Sequence, residues 1–263
     1  DFAAWEAGLV VVPVYETSSA DQAQWILTDA GVKLMVVENE AMAAMIGALT
    51  STVPELADLR VLCVERQDVL GLIEAGRGVE PAELDQRSAA LTSQSLATIV
   101  YTSGTTGRPK GVLVTHGGVL SACTDTGYMN YGPGDRVLHL TRYTFDPSMF
   151  DIYSALLSGA TIVMGSHAHN MDTRLLADLL VTEKITKGLL ITAVFHLLMA
   201  EHPEAVAGMS ALFVGGEAMQ PWAAQRAYKV MGPGRLFNLY GPTESSIVST
   251  FFRMDERPEF TRM

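Results

Sequence analysis

The sequence predicts an α/β protein in which mixed, largely parallel sheets are flanked by helices. Short runs of β-branched and other apolar residues alternate along the chain with segments whose apolar residues recur at helical spacing. Such alternation is typical of parallel strands joined by helical crossovers. Glycine-marked corners also follow several strand-like runs, and ligands of open α/β sheets bind where strands end.

The first 95 residues predict three alternations of strand and helix. Hydroxyl residues at 17–19 are suitable caps for the first of the longer helices. Residues 65–95 are more polar and acidic, and we interpret them as a surface excursion. The predicted elements are strand 9–15, helix 20–30, strand 33–38, helix 39–49 and strand 60–64.

The same alternation continues to the end of the chain. A glycine and proline cluster at 131–135 predicts a turn, and His167 and His169 predict a polar loop rather than a metal site. The predicted strands are 97–101, 112–115, 136–140, 159–164, 188–191, 211–214, 236–239 and 247–252. The predicted helices are 116–126, 148–157, 173–181, 193–200 and 221–230.

Composition excludes several classes of protein. The 263 residues are 48% hydrophobic, which is enough for one large core or two small ones. The formal net charge of -11 disfavours non-specific nucleic-acid binding, and we expect no stable membrane insertion because no apolar run is long enough to span a bilayer. Cys63 and Cys123 are too few for a disulfide framework, so we expect a reducing, cytoplasmic location.

Residues 101–111, YTSGTTGRPKG, predict a phosphate-holding loop between two strands. Glycines allow the backbone to approach an anion closely, hydroxyls add donors, and one lysine adds a point charge. The alternative is an ordinary surface hairpin rich in Ser, Thr and Gly. The string is not a Walker A loop, because GxxxxGK[ST] is absent. Its candidate binding residues are Thr102, Ser103, Gly104, Thr105, Thr106, Gly107 and Lys110.

Two further corners follow strand-like runs at 214–219 and 240–245. Taken alone, each could be a tight turn in which glycine or proline serves geometry only. Together with the loop they resemble, in the same order, three motifs of the AMP-forming adenylating enzymes. This superfamily contains acyl-CoA ligases, luciferases and the adenylation domains of nonribosomal peptide synthetases. The resemblance implies that the chain is part of the large N-terminal domain of such an enzyme.

The resemblance implies roles for residues at the two corners. Gly215, Gly216, Glu217 and Ala218 would line adenine, and Asn238 and Tyr240 would flank the base, followed by Gly241. Thr243 would contact the α-phosphate and Glu244 would hold Mg²⁺, which prefers oxygen ligands. ATP and Mg²⁺ are therefore the expected cofactors. Lys110, Thr243 and Glu244 are the expected catalytic residues.

The segment 143–151 contains the start of a predicted helix and the residues that indicate which substrate is bound. Asp146 before Pro147 is an ordinary way to begin a helix. By resemblance to peptide-synthetase domains, however, Asp146 would pair with a substrate ammonium. The same resemblance implies that the pocket is apolar, which favours a hydrophobic amino acid. Its expected lining is Phe145, Pro147, Phe150, Leu190, Phe213, Gly215, Leu239, Ile247 and Val248.

The first part of the chain favours a different substrate. Residues 12–29 look more like bacterial long-chain fatty acyl-CoA ligases, and Pro147 departs from the small aliphatic residue expected there. We therefore predict an acyl-CoA-ligase-like portion of an N-terminal subdomain at 1–95. Residues 96–263 would form a subdomain with the phosphate loop, acyl pocket and adenine motifs.

The predicted function is activation of a carboxylic acid, with ATP, to an acyl-adenylate that is transferred to a thiol of a carrier protein or CoA. The alternatives are a long-chain fatty acid-CoA ligase and a noncatalytic nucleotide-binding module. The family's ribose-binding aspartate, hinge and C-terminal lid domain do not appear in this chain. We therefore expect the chain alone to be inactive or nearly so.

Overall fold

The structure is a computed structural model that describes residues 1–103, 108–124, 127–128 and 130–255. Contacts divide the chain into two compact units, residues 1–117 and 118–263. The predicted hairpin of the phosphate loop thus belongs to the first unit. The functional division at residue 95 stays a prediction. Among the described residues, no helix is both long and apolar enough to cross a membrane.

The first unit contains two small sheets, each of two strands within the described residues. β1 and β2 are parallel, whereas β3 and β4 form an antiparallel hairpin in which Thr102 pairs with Lys110. The elements are α1 (Phe2–Glu6), α2 (Ala20–Asp29), β1 (Leu34–Val37), α3 (Glu40–Thr52), β2 (Arg60–Cys63), α4 (Asp68–Gly76), α5 (Pro81–Ala89), β3 (Leu96–Thr102) and β4 (Lys110–Thr115). The next helix, α6 (His116–Cys123), begins in this unit and ends in the second.

One prediction for the first unit is wrong, and another is incomplete. Residues 9–15 form no strand; only Val11 makes a bridge, to Thr98. Pro13 has no N–H to donate, so a continuous ladder is interrupted there. The surface excursion at 65–95 contains the helices α4 and α5, whose residues are never buried, so their apolar side chains gave no core-facing pattern.

The second unit is built on a twisted sheet of six strands among the described residues, in the order β10-β9-β8-β7-β5-β6. All neighbouring pairs are parallel except β10 with β9. The elements are β5 (Arg136–His139), α7 (Pro147–Leu157), β6 (Thr161–Met164), α8 (His167–Met171), α9 (Thr173–Thr182), β7 (Lys187–Ile191), α10 (Thr192–Glu201), β8 (Ala211–Gly215), α11 (Pro221–Met231), β9 (Leu236–Tyr240) and β10 (Thr250–Arg253).

Helices cover the sheet of the second unit on both faces. α9, α10 and α11 bury their apolar side chains against alternate strand residues such as Leu138, Leu212 and Leu236. On the other face, α7 packs on β5 and β6, where Ala155 meets Val137. The strand order reverses at β5, which lies between β6 and β7. Such a switch point opens a ligand-binding crevice at the carboxyl ends of the strands.

Several predictions for the second unit differ from the structure, and the strand predicted from residue 159 begins at Thr161. The last strand begins at Thr250 rather than residue 247, because Ser246 and Ile247 have positive φ angles of 59° and 81° that no strand accommodates. The histidines at 167 and 169 lie in the short helix α8 instead of a loop. The helix that begins at His116 ends at Cys123, three residues earlier than predicted.

A buried polar pair attaches α7 to β5. Asp151 of α7 is fully buried, and its Oδ2 lies 3.4 Å from Nδ1 of His139 and accepts a hydrogen bond of 3.2 Å from Thr141. Its other oxygen, Oδ1, has no hydrogen-bond partner among the described residues. Burial raises the pKa of the Asp151 carboxyl to about 6, although His139 and Thr141 favour the charged form. Ionisation of the Asp151 carboxyl group is therefore costly in free energy inside the second unit.

We predict that Asp151→Asn changes how stability depends on pH. In the wild type, folded Asp151 binds a proton more tightly than the unfolded side chain does, so its contribution to the free energy of unfolding falls as pH rises from about 4 to 6. Asparagine cannot lose a proton. The stability of the variant relative to wild type should therefore increase by up to about 3 kcal/mol across this window.

Urea unfolding of both proteins at pH 4, 5, 6 and 7 measures the effect. Asp178→Asn, on the exposed surface of α9, is the matched control and should leave the pH dependence unchanged. A difference between Asp151→Asn and wild type that stays constant from pH 4 to 7 would contradict the prediction.

Candidate nucleotide and acyl site

The predicted corners lie at the carboxyl ends of neighbouring strands. β8 ends at Gly215 and β9 at Tyr240, and these two strands run parallel. β7, also parallel, ends beside Gly215 at Ile191. Because parallel strands end at one edge of a sheet, residues far apart in sequence come together there. The structure therefore brings the two predicted adenine corners to one edge of the second unit.

The corner after β8 is held by a residue that the sequence did not single out. Oγ1 of Thr192, at the start of α10, lies 3.0 Å from the carbonyl oxygens of both Gly215 and Glu217, and it accepts the N–H of Glu217 at 3.3 Å. Gly216 has a φ of +102°, a conformation that suits glycine. Glu217 and Ala218 remain exposed. Buried Thr192 thus fixes the turn and leaves its outer side accessible to a ligand.

The corner after β9 is tightly folded. A Cβ on Gly241 would lie 2.4 Å from the carbonyl oxygen of Ile247 and 2.7 Å from the backbone nitrogen of Ser249, so only glycine fits. Ile247 is β-branched and adopts a φ of 81°, which costs free energy for such a residue. Tyr240, by contrast, is 71% exposed. The strained turn leaves this aromatic ring in solvent, where a base could stack on it.

Asp146 meets the corner after β9. The residue lies just before α7 in an α-helical conformation and makes no side-chain capping bond, so its carboxylate is not used as a helix cap. Instead, the Asp146 carboxylate lies close enough to Thr243 and Glu244 for both to act on its pKa: the Thr243 hydroxyl lowers it and the Glu244 charge raises it. The structure therefore joins the predicted substrate residue to the predicted α-phosphate and Mg²⁺ residues.

The charges at this point favour a cation. Burial raises the pKa of the Asp146 carboxyl above its ordinary value, the nearby Glu244 charge raises it as well, and the Thr243 hydroxyl opposes both effects. A partly buried carboxylate with a second, exposed carboxylate nearby is stabilised by a positive charge beside it. An ammonium group and a divalent metal ion both meet this requirement.

No group of three or more His, Cys, Asp or Glu in the described part of the chain could hold a metal ion. Mg²⁺ usually binds one or two carboxylates together with phosphate oxygens and water. The oxygen donors of Glu244 and its neighbours fit that partial ligand set. They would hold Mg²⁺ only together with oxygens supplied by a nucleotide.

An aromatic wall lies beneath the site, on the face of the sheet that α7 covers. The ring centroids of Phe150 and Phe213 are 5.2 Å apart with an edge-to-face arrangement, and Phe213 lies 5.0 Å from Phe237. Tyr131 stacks on Phe213 at 6.4 Å. Leu239 shares this face because it follows Phe237 by two residues on β9. The phenylalanines and Leu239 are buried, so they form an apolar core close to the end of β8 rather than an open surface.

Leu190 does not join the aromatic wall, so its assignment to that pocket needs correction. It belongs to the core that α9, α10 and α11 cover on the opposite face of the sheet. Its neighbour Leu189 pairs with Phe213 in the strand register and therefore faces the wall. Asn238 pairs with Val214, so it too points to the face opposite Leu239.

The remaining predicted pocket residues lie around the site. Ile247 is buried in the strained turn, Pro147 is half-buried at the start of α7, and Phe145 is 49% exposed. Val248 lines a cavity of about 460 Å³. The other residues that line this cavity are Leu120, Ser121, Thr124, Tyr128, Ser249, Thr250 and Phe251.

The phosphate loop is described only at its two ends. Gly104, Thr105, Thr106 and Gly107 lie outside the described residues. Thr102 ends β3, Ser103 follows it and is exposed, and Lys110 begins β4 with an exposed side chain. The predicted donors at both ends of the loop are thus accessible to a ligand.

Known proteins resemble this chain along nearly its whole length. A family model described as "AMP-binding enzyme" matches residues 1–262. Surfactin synthase subunit 1 of Bacillus subtilis (strain 168) is 30% identical over 258 residues, which cover 97% of this chain and 7% of that protein. Cyclosporin synthetase of Tolypocladium inflatum is 31% identical over 255 residues, which cover 97% of this chain and 2% of the synthetase.

Solved structures share the fold at lower sequence identity. The N-terminal subdomain of Klebsiella oxytoca NpsA, in complex with 3-hydroxyanthranilyl-AMSN, superimposes with a TM-score of 0.73 and 24% identity over 96% of this chain and 58% of that chain. VinN in complex with L-aspartate gives a TM-score of 0.75 at 21% identity, over 94% of this chain and 60% of that one.

The chain spans a small part of each synthetase that it matches and less than two thirds of each solved chain described above. The family model nevertheless covers almost every residue. With its glycine corners, exposed tyrosine and paired acidic residues at one edge of a parallel sheet, this chain belongs to the family of AMP-binding enzymes, the AMP-forming adenylating enzymes.

Proposed function

We propose that this chain provides the nucleotide- and acid-binding part of an enzyme that activates a carboxylic acid. The acid attacks the α-phosphorus of ATP, the bond between the α-phosphorus and the bridging oxygen breaks, and pyrophosphate leaves. A thiol then attacks the acyl carbon of the acyl-adenylate, a thioester forms, and AMP leaves with loss of the thiol proton. The acid is a hydrophobic amino acid, and the thiol belongs to the phosphopantetheine arm of a carrier protein.

The observation that carries the amino-acid proposal is the position of Asp146. A fatty acid offers nothing to balance a half-buried carboxylate that stands beside Glu244, whereas the ammonium group of an amino acid does. The aromatic wall of Phe150 and Phe213 suits an apolar side chain. A carboxylate and a buried aromatic cluster thus lie on the same side of the sheet, which supports an amino acid with an apolar side chain as the substrate.

The comparisons support the same proposal. The curated relatives described above are named for the synthesis of surfactin and cyclosporin, and VinN was solved as a complex with L-aspartate. The NpsA structure holds 3-hydroxyanthranilyl-AMSN. FACL13 from Mycobacterium tuberculosis, at 20% identity, shares the fold alone. The family relationship therefore supports adenylation chemistry, and Asp146 supports the choice of acid.

In the proposed reaction, the residues of this chain mainly bind and orient. Asp146 holds the ammonium, and the aromatic wall holds the side chain, so that the carboxylate is directed at the nucleotide. The corners at Gly215 and Tyr240 hold adenine. Thr243 donates to the α-phosphate, and Lys110 neutralises the outer phosphates. Glu244 would hold Mg²⁺, which neutralises negative charge on the phosphates when bound.

We predict that the protein containing this chain supports amino-acid-dependent exchange of pyrophosphate into ATP, and that hydrophobic amino acids give the fastest exchange. The reason is that only an amino acid supplies both the cation for Asp146 and the apolar group for the wall. A panel of twenty amino acids and a series of fatty acids from C8 to C16 measures this. Exchange with fatty acids alone would replace the proposal with the acyl-CoA ligase alternative.

We predict that Asp146→Ala abolishes amino-acid activation and spares ATP binding. Removing the partner of a desolvated ammonium should lower kcat/KM for the amino acid by at least about 100-fold. Pyrophosphate exchange measures activation and calorimetry measures the Kd of ATP. Asp178→Ala, on the exposed face of α9, is the matched control and should behave as wild type. If Asp146→Ala activates amino acids normally, the amino-acid assignment is wrong.

A further inference from the structure

One helix of the first unit contacts the phosphate loop at both of its ends. The hydroxyl of Tyr101 donates a hydrogen bond of 2.6 Å to Oδ2 of Asp29, and Nε1 of Trp25 donates one of 2.9 Å to the carbonyl oxygen of Pro109. Trp25 and Asp29 are four residues apart on α2, so they lie on one side of that helix. Tyr101 lies at the entrance of the loop and Pro109 near its exit.

The same tryptophan also holds a cation at the loop exit. The guanidinium carbon of Arg108 lies 4.7 Å from the centroid of the Trp25 ring, within the range of a cation–π interaction. This contact fixes a positive charge two residues before Lys110. Trp25 therefore acts on the exit of the loop twice, through its N–H and through the face of its ring.

α2 is firmly anchored and can serve as a support. A capping box of Ser19 and Gln22 begins the helix. Ala23 and Leu27 are buried in the core of the first unit, on the opposite side from the residues that contact the loop. Tyr101 is itself only 5% exposed, and burial raises the pKa of its phenol, so the hydroxyl remains a donor to Asp29 at neutral pH.

The strand ladder alone does not provide this support at the exit. The register of β3 with β4 ends at the pair of Thr102 with Lys110, so Pro109 and Arg108 lie beyond the last ladder pair. Position 111 on β4 requires glycine, because a Cβ there would lie 2.9 Å from the Ile99 side chain and 3.1 Å from the Tyr101 ring. The Tyr101 ring thus crosses the backbone of β4 and reaches Asp29 on α2.

We propose that Trp25 and Asp29 are positioning residues for the triphosphate: from α2 they hold the exit and the entrance of the phosphate loop, and Trp25 also orients Arg108 toward the outer phosphates. This inference rests on the proposed function of the loop. Its consequence is specific, because the outer phosphates are present in ATP and pyrophosphate but absent from AMP. Loss of these contacts weakens the binding of the triphosphate and leaves that of the monophosphate unchanged.

Binding measurements on the full protein test this without requiring catalysis. Calorimetry gives the Kd of ATP and of AMP for wild type and for Asp29→Ala, Tyr101→Phe, Trp25→Phe and Trp25→Leu. We expect the Kd of ATP to rise about 5-fold in the first three variants, each of which loses one hydrogen bond. In Trp25→Leu, which also loses the stacked Arg108, it should rise further. The Kd of AMP should stay within about 2-fold of wild type in all four.

Conservative and combined variants separate positioning from general destabilisation. Asp29→Asn keeps an acceptor for the Tyr101 hydroxyl and should restore ATP binding. The double variant of Asp29→Ala and Tyr101→Phe should bind ATP as either single variant does, because both changes break one hydrogen bond. Thr28→Ala, exposed on the same helix, is the matched control and should bind both nucleotides normally. Thermal unfolding checks that each variant is folded.

Two results would overturn the inference. One is an unchanged Kd of ATP in Asp29→Ala and Trp25→Leu; the other is an equal loss of ATP and AMP binding, which identifies the contacts as merely structural. Failure of the proposed function looks different. In that case wild type forms no acyl-adenylate from any acid, whereas the contrast between ATP and AMP in the variants still decides whether α2 positions the loop.

Discussion

The parallel alignment of β5, β7, β8 and β9 is the constraint on which the site in the second unit depends. Parallel strands must end at a common edge, so residues separated by more than twenty positions in sequence emerge beside one another. Gly215 and Tyr240 come together in this way. The loops that follow the two strands are stabilised in different ways. The loop after β8 is held by hydrogen bonds to Thr192, and the loop after β9 contains a strained turn at Ile247. The chemistry lies in the loops, and the strands set the distances between them.

α7 extends this arrangement to the substrate side of the site. It carries Asp146 just before its first turn and Asp151 one turn further along. Asp151 is held against β5 by His139 and Thr141, in a position where an aliphatic residue would be less costly to bury. The buried polar contact has a directional requirement that an apolar contact lacks. It therefore restricts how α7 can rotate or slide on the sheet, and with α7 the position of Asp146.

The sequence was sufficient for the class of fold and for most elements of the second unit, because their apolar runs and glycine corners are strongly patterned. Prediction from the sequence failed where the spacing of apolar residues does not correspond to the residues that are buried. α4 and α5 bury no residues, so nothing in their spacing pointed to a core. The continuous apolar run of β7 does not reveal which residues face which side, and Leu190, which the resemblance placed in the pocket, lies on the face opposite Phe213.

The candidate site was predictable to a similar degree. The resemblance to adenylating enzymes led to Asp146, Thr243 and Glu244 separately, and only the fold shows that Thr243 and Glu244 act on the Asp146 carboxylate. Thr192 gave no signal, since a single threonine after a strand is an ordinary way to begin a helix. Trp25 and Asp29 stand in a helix far from the loop in sequence, and only the packing of α2 against the hairpin relates them to it.

The proximity of the Thr243 hydroxyl to the Asp146 carboxylate has a consequence for the way in which two ligands would stabilise one another. A hydroxyl has one proton, so Thr243 cannot donate to Asp146 and to a phosphate at the same time. An ammonium group that pairs with Asp146 would take the place of the Thr243 hydroxyl beside this carboxylate. The hydroxyl of Thr243 would then be able to donate its proton to the nucleotide. In the proposed enzyme the two substrates would therefore promote one another's binding, each by the same factor, as thermodynamic linkage requires.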